Sequence, residues 1–258
     1  YISNTLIIRD FLVSSQENFA LLISFFRKIR QKLLQQNRVT QYLAYAIGEI
    51  FLVVIGILIA LQVNTWNESR KSRNFEQEIL SLIDQNLSRD SSVIAAELQK
   101  ALIANATTDS ILDQVEKGIF EENLYVWMAK VIRFERFKSQ SSGFEVLKSK
   151  GIDAISDKDL QIDLINYYDE VLFRLSQAIL DVENSFNSDW IPVVKSEFYD
   201  FDYEDRLEPR NLEDFFKNPS HIVLFKMFQD NREGSISRME IALAEISALR
   251  ASIKNQLK

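Results

Sequence analysis

The residues best suited to chemistry in this chain are carboxylates that alternate with aromatic side chains over positions 197–205. They are Glu197, Asp200, Asp202, Glu204 and Asp205, interleaved with Phe198, Tyr199, Phe201 and Tyr203. Carboxylate oxygens at such spacing suit Ca²⁺. A hand-type loop counted from Asp200 needs Gly at its sixth position and Glu at its twelfth, where this chain has Asp205 and Asn211. These departures favour an acidic loop that faces solvent or a partner.

Other familiar catalytic arrangements are missing from the sequence. The chain has no Cys and a single histidine, His221, which excludes disulfides, thiolate metal sites and multi-histidine metal sites. It also has no Walker-type phosphate loop, no GxSxG motif and no HExxH motif. His221 follows Asn-Pro-Ser near an expected helix start, so we expect a surface or cap residue and not a base. The sequence predicts no enzymatic activity, no cofactor and no bound metal.

The strongest sequence signal is an apolar run from Leu43 to Val63, which only Glu49 and Gln62 interrupt. In a helix with a rise of about 1.5 Å per residue, this run spans roughly 31 Å, close to the hydrocarbon thickness of a bilayer. The run therefore predicts one transmembrane helix over residues 42–66.

Aromatic residues flank the run in the manner of a membrane helix. Tyr42 stands at one end and Trp66 at the other, where amphipathic rings favour the headgroup region. The alternatives are a buried core helix and a cleaved signal peptide. The residues after the run offer no convincing pair of small side chains for a peptidase, so we expect an uncleaved anchor.

Charge is distributed unevenly between the two ends of the chain. Residues 1–63 carry a net charge of +3, and residues 64–258 a net charge of −10. An acidic body repels phosphate backbones and anionic lipid surfaces, so we expect it to bind no nucleic acid.

The segment over residues 22–41 is basic and amphipathic. Arg27, Lys28, Arg30 and Lys32 lie among apolar residues at helical spacing, so we expect this segment in the headgroup layer beside anionic lipid. A helix packed on protein is the alternative. Basic residues are more numerous here than just after the apolar run, so the positive-inside rule favours a cytoplasmic N-terminus.

Five residues of the apolar run are candidates for helix–helix contact. A carboxylate at Glu49 is unfavourable in lipid unless it is protonated, paired or turned toward the headgroups. It therefore predicts either a partner contact or a boundary residue that reaches the interface. The pairs Ala44 with Gly48 and Gly56 with Ala60 place small residues four positions apart, which would let a second helix approach closely.

Beyond residue 67 the periodicity is helical almost throughout. The pattern predicts helices over 67–118, 121–137, 142–150 and 157–189, and from 219 to the end. Ser142 and Glu145 fit a capping box, Gly151 fits a helix stop, Ser156 fits a cap and Pro219 fits a first helical turn. We therefore predict an all-α fold in which one transmembrane helix continues into an antiparallel helical bundle over residues 67–258.

Several blocks also carry a resemblance. FFRKIRQKLL, YAIGEIFLVVIGILIALQVNTWNE, SGFEVLKSKGIDAISDKDL and INYYDEV resemble an uncharacterised family of single-pass membrane proteins common in Bacteroidota. The resemblance implies a membrane anchor and a helical extracytoplasmic body, and it brings no catalytic residues. Such proteins usually begin where Leu22 stands here, so residues 1–21 are expected to be a non-native extension.

These features predict a single-pass protein of the bacterial inner membrane, with a cytoplasmic N-terminus and a periplasmic body. The expected role is a non-catalytic interaction or scaffold module that docks onto an unidentified membrane or envelope protein. The lipid bilayer is the other expected partner. The small-residue pairs also allow self-association of the chain. The alternative is a sensor-like domain that binds a small ligand between its helices and signals through a partner protein. A polar pocket between helices would favour the sensor, and a broad exposed apolar patch the scaffold.

Overall fold

The computed structural model describes residues 27–28, 31, 39–134, 136–203 and 205–257, and most of them are helical. The predicted all-α class is confirmed, with one two-stranded sheet in addition. The helices are α1 (Val39–Glu116), α2 (Asn123–Val131), α3 (Ser142–Lys150), α4 (Lys158–Ile165), α5 (Leu172–Ser185), α6 (Ile191–Glu197), α7 (Leu212–Lys217) and α8 (Pro219–Gln256). The strands are β1 (Phe198–Asp202) and β2 (Arg206–Pro209). Contacts between residues divide the chain into two compact units, with the boundary between Lys71 and Ser72.

The first part of α1 is exposed along its whole circumference. Every side chain from Ile47 to Asn74 is exposed, including the apolar ones. Among the described residues, α1 is the one helix long and apolar enough to cross a membrane, and none of its most apolar window is buried. The apolar run is therefore not a buried core helix in the described structure.

In the body, which starts at Ser72, α1 and α8 run antiparallel. Three side-chain pairs join the two helices, and their numbers fall along α8 as they rise along α1: Asp84 with Arg250 at 2.8 Å, Asn105 with Arg232 at 3.3 Å, and Asp109 with Gln229 at 2.7 Å. This register confirms the predicted antiparallel bundle. It also explains why an arginine, Arg250, stands where the helical pattern of α8 would place an apolar residue: its side chain pairs with Asp84 of α1.

The third long element is a rod made of α4, α5 and α6. Two π-helical turns, Asn166–Val171 and Phe186–Trp190, join these helices without a break. The predicted helix over 157–189 is thus present. Each π-helical turn contains one more residue in its hydrogen-bonded ring than an α-helical turn does. Such turns are frequent at functional sites. Tyr167 and Trp190, one in each turn, are fully buried.

Two hydrophobic clusters hold the body together. The first joins α1, α3, α4, α5 and α8 through buried residues such as Ile83, Leu87 and Phe144. The second joins α2, α7, the second π-helical turn and the N-terminal half of α8, with Trp190 and Phe225 at its centre. The rings of Trp190 and Phe225 meet edge to face with their centroids 4.9 Å apart.

Several helix ends follow the sequence signals. Gly118 and Gly151 have φ values of 69° and 112°, which residues with a Cβ rarely adopt, and each follows a helix end. Pro219 opens α8, and the side chain of Asn218 accepts a hydrogen bond from the Ser220 N–H at 3.0 Å. The predicted second helix is shorter than expected and ends at Val131.

Two predicted caps are wrong. The Ser142 side chain makes no capping bond in its own helix. It donates its hydroxyl to the Asn86 Oδ1 of α1 at 3.2 Å, and the same oxygen accepts the N–H of Gly143 at 2.9 Å. Ser156 donates its N–H and hydroxyl to Glu76 at 2.6 Å, and Asp157 caps α4 instead. In both places a polar side chain of α1 fixes the start of the next element.

The sheet was not predicted. β1 and β2 form an antiparallel hairpin in which Phe201 pairs with Leu207, with a register break between Phe198 and Asp200. Phe198 and Leu207 are buried in the second cluster, while most of β1 faces outward.

Replacing Asn86 with Ala should destabilise the body by about 1–3 kcal/mol. The change leaves the buried N–H of Gly143 without its acceptor, and an orphaned buried donor loses its hydration without compensation. Urea unfolding of the full chain in lipid nanodiscs, followed by circular dichroism, measures the difference. Ser92→Ala, which removes an exposed hydroxyl bond within α1, is the control. Equal midpoints for the two variants would contradict the role of Asn86.

Candidate functional site

The predicted membrane-helix contacts lie on the exposed part of α1. Glu49, Gly48, Gly56 and Ala60 are all exposed, and a Cβ added at either glycine would meet nothing within 4 Å. Ala44 lies within α1, but its side chain is outside the described residues. The structure leaves this face open to a second helix and brings no other described residue to it.

Of the predicted interface residues, three have described side chains. Arg27 and Lys28 are exposed, and Trp66 is 60% exposed. Arg30, Lys32 and the side chain of Tyr42 fall outside the described residues, as do positions 1–26. Their predicted roles therefore stay predictions.

The acidic and aromatic segment forms the hairpin and not a loop. Asp200, Asp202 and Asp205 are exposed, and Tyr199, which is 69% exposed, donates its hydroxyl to Glu208. Within the described residues, which omit Glu204, no group of three or more His, Asp or Glu side chains could hold a metal ion.

His221 is buried and not on the surface, which corrects part of the prediction. It is 6% exposed and its ring stacks on Phe215 with centroids 4.2 Å apart. Nδ1 lies 2.8 Å from the Phe215 carbonyl oxygen, which can only accept, so Nδ1 carries a proton. Nε2 lies 3.4 Å from the Asn218 amide nitrogen. The imidazole thus joins α7 to the start of α8.

Sequence reasoning missed a pocket in the body. It has a volume of about 330 Å³, within the range of small-molecule sites, and lies where the two hydrophobic clusters meet. Its lining includes Met239 of the first cluster and Val182 of the second. The remaining lining residues are Glu97, Lys100, Ala101, Ile103, Ala104, Lys130, Arg133, Phe134, Ile179, Arg232 and Ser235. Helices α1, α2, α5 and α8 therefore all contribute to its walls.

Arg232 is the unusual residue of this pocket. Only 2% of it is exposed, and its guanidinium donates to the carbonyl oxygens of Val131 and Arg133 and to the side chain of Asn105. It also lies over the ring of Phe228, 4.7 Å from the centroid. No carboxylate of the described residues forms an ion pair with Arg232. A full positive charge is thus buried with hydrogen-bond acceptors that are all neutral.

Burial also affects the titration of this arginine. Loss of water around the guanidinium lowers the pKa of Arg232 to about 10, and Tyr203 acts in the opposite direction as the smaller cause. The side chain remains protonated at neutral pH. An anion in the pocket would face this charge without a competing carboxylate on the same guanidinium.

A comparison with protein-family models gives one match. The model described as "Family of unknown function (DUF6090)" matches residues 49–187, which is more than half of the chain. The chain belongs to this family. No curated protein and no solved structure matches it. The DUF6090 segment includes the pocket walls from α1, α2 and α5, whereas Arg232 and Met239 of α8 lie beyond it.

The DUF6090 segment also holds a buried carboxylate. Asp90 is 1% exposed, and it accepts hydrogen bonds from the Ser139 hydroxyl and from the Gln140 N–H, the latter at 2.8 Å. Burial raises the pKa of Asp90, and the two hydrogen bonds offset only part of the rise. The buried hydroxyls of Tyr167 and Tyr168 have no hydrogen-bond partner in the described structure, and their own pKa values are raised by burial first and by Asp90 second.

Asp90 should make the body less stable as pH rises above about 4. Because its pKa is higher in the folded state than the ordinary 3.8, the folded state binds more protons, and stability falls from pH 3.8 up to the folded-state pKa. Asp90→Asn should lack this fall. Urea midpoints of the full chain between pH 4 and pH 8 measure it, with the exposed Asp181→Asn as the control. Parallel profiles for Asp90→Asn and the unsubstituted chain would contradict this assignment.

Proposed function

We propose that the protein is a non-catalytic, membrane-tethered interaction or scaffold module of the bacterial inner membrane. The observation that carries this proposal is the change in exposure along α1. Apolar side chains such as Ile47 and Val63 are exposed, whereas Ile79 and Ile83 on the same helix are buried in the body. A continuous apolar surface of this length is unfavourable in water, and lipid would cover it.

In this proposal the N-terminus is cytoplasmic and the body, from about residue 67, is periplasmic. The charge distribution supports this orientation, because basic residues are more numerous before the apolar run than after it. The acidic body has no electrostatic attraction to an anionic membrane surface. A second copy of the chain could pack against the pairs Ala44 with Gly48 and Gly56 with Ala60.

The absence of Cys permits a direct test of this orientation. Single cysteines at Lys28 and at Lys254, both exposed in the structure, should behave differently toward a maleimide that cannot cross membranes. In cells with a permeabilised outer membrane, we expect labelling of Lys254→Cys and no labelling of Lys28→Cys until the inner membrane is lysed. The reverse pattern would show the opposite topology. Equal labelling of both sites before lysis would contradict the proposed membrane span.

The hairpin is the surface that best suits a protein partner. Tyr199 and Phe201 are exposed beside the carboxylates of Asp200 and Asp202. Exposed aromatic side chains commonly anchor protein interfaces, and the surrounding carboxylates favour a partner with a basic face.

Removing both exposed aromatic side chains should abolish partner binding. We expect the full chain, purified from native membranes in mild detergent, to carry one reproducible stoichiometric partner, and the double variant Tyr199→Ser with Phe201→Ser to lose it. The control is Phe173→Ser, which removes a ring from α5 whose exposure lies between those of Tyr199 and Phe201. Recovery of the unsubstituted chain alone would reject the scaffold role, and retention of the partner by the double variant would reject the hairpin as the contact.

The pocket, which holds the buried guanidinium of Arg232, supports a second candidate function, a sensor-like module. α1 supplies Glu97, Lys100 and Ala104 to the pocket wall, and the same helix contains the apolar run. A ligand held between α1 and α8 would favour one arrangement of these helices over others, and a partner protein would respond to that arrangement.

A further inference from the structure

The pocket is cationic in an acidic body. Residues 64–258 have a net charge of −10, yet the pocket lining contains Lys100, Lys130, Arg133 and Arg232, with Glu97 as the single carboxylate among its described residues. Glu97 forms an ion pair with Lys100 at 3.0 Å. Beyond this pair, Lys130 and Arg232 give the lining a positive charge that contrasts with the acidic body.

Arg232 is positioned to receive an anion. The guanidinium has five N–H groups, and the hydrogen bonds in the structure, from Nη1 to Asn105 and from Nη2 to Val131 and Arg133, use three of them. The Nε–H and the second Nη1–H have no acceptor in the described part of the chain. A carboxylate or phosphate oxygen forms charge-assisted hydrogen bonds to such groups, and these are stronger than neutral ones.

Apart from its charged side chains and Ser235, the described lining of the pocket is apolar. Ala104, Ile179 and Met239 line it, and none of them offers a side-chain hydrogen-bonding group of the kind a polar ligand requires. A sugar or nucleotide would leave its hydroxyl groups unpaired against these side chains, which is unfavourable. A hydrocarbon chain loses no hydrogen bond there.

The pocket volume limits the size of the ligand. At about 30 Å³ for each water-sized unit, 330 Å³ accommodates about 11 non-hydrogen atoms. This is the size of one short hydrocarbon chain with a small head, so the pocket cannot enclose a two-chain phospholipid.

From these observations we propose that the pocket binds a single-chain amphiphile whose anionic head pairs with Arg232 and whose hydrocarbon chain lies against Ile179 and Met239. Lys130 adds a second positive charge to the surroundings of the head. This proposal rests on the sensor-like candidate function and names the class of ligand that such a sensor would bind.

Octanoate, which has a carboxylate head and a short chain, is the probe for this site. Isothermal titration calorimetry of the full chain in lipid nanodiscs, with empty nanodiscs as the blank, measures its affinity. Octan-1-ol has the same chain and a neutral head, and acetate has the head alone. We expect octanoate to bind at least tenfold more tightly than either. Equal affinity of octan-1-ol would overturn the anionic-head assignment, and no binding of octanoate would overturn the proposal.

Variants locate the binding. Arg232→Met should weaken octanoate binding at least tenfold, and its control Arg250→Met removes an arginine whose partner, Asp84, lies outside the pocket lining. Because Arg232 is buried, Lys130→Ala offers an exposed pocket change, for which we expect a weakening of at least threefold. Lys148→Ala, at an exposed lysine paired with Glu145, is its control and should bind as the unsubstituted chain does. Unchanged affinity in Lys130→Ala and in a folded Arg232→Met would overturn the placement of the head.

Failure of this test is distinguishable from failure of the proposed scaffold function. The copurification experiment uses the hairpin variants and no added ligand, whereas the calorimetry uses pocket variants and no partner. A chain that keeps its partner but binds no octanoate rejects only the ligand proposal.

Discussion

The packing of the body depends on the buried face of α1 between Ile79 and Ile111. Ile79, Leu87 and Ile94 belong to the first hydrophobic cluster, and Ile111 belongs to the second. A helix that contributes to both clusters fixes their separation, because the rise per residue of an α-helix is constant. The pocket lies where the two clusters meet, so its dimensions follow from the same constraint.

Two polar residues on this face of α1 order the chain that crosses it. Asn86 and Asp90 are one helical turn apart and both are buried, and together they accept the backbone N–H groups of Gly143 and Gln140. Buried acceptors of this kind allow only one position of the segment above them, because any shift would leave a buried group unpaired. The tight fit of Gly143, where an added Cβ would lie 2.9 Å from Ile83 Cγ1, requires the same position.

Local sequence signals predicted the helices but not their contacts across the body. Gly151 and Pro219 act within a few residues, so the ends of α3 and α8 followed from the sequence. The Asn86 acceptor acts over 57 residues, so the start of α3 was assigned to the wrong side chain. The hairpin was missed because its carboxylates predicted a loop, although its aromatic residues alternate with them as strand residues do. The family assignment follows from the match over residues 49–187, whereas the pocket combines residues from four helices that no local pattern relates.

The position of Arg232 explains how a positive charge is stable inside an acidic body without a carboxylate partner. Its guanidinium donates to the carbonyl of Val131, the last residue of α2, and to that of Arg133, just beyond the helix end. The last carbonyls of a helix have no partner within the helix, and the aligned peptide dipoles give that end partial negative charge. A C-cap of this kind explains why an arginine is there, but it accounts for only part of the hydrogen-bonding capacity of the guanidinium and offsets only a fraction of its charge. A purely structural cap would be satisfied by the helix end alone. Lys130, which lines the same pocket, instead increases the positive potential, which is unfavourable for an empty site and favourable for one that receives an anion.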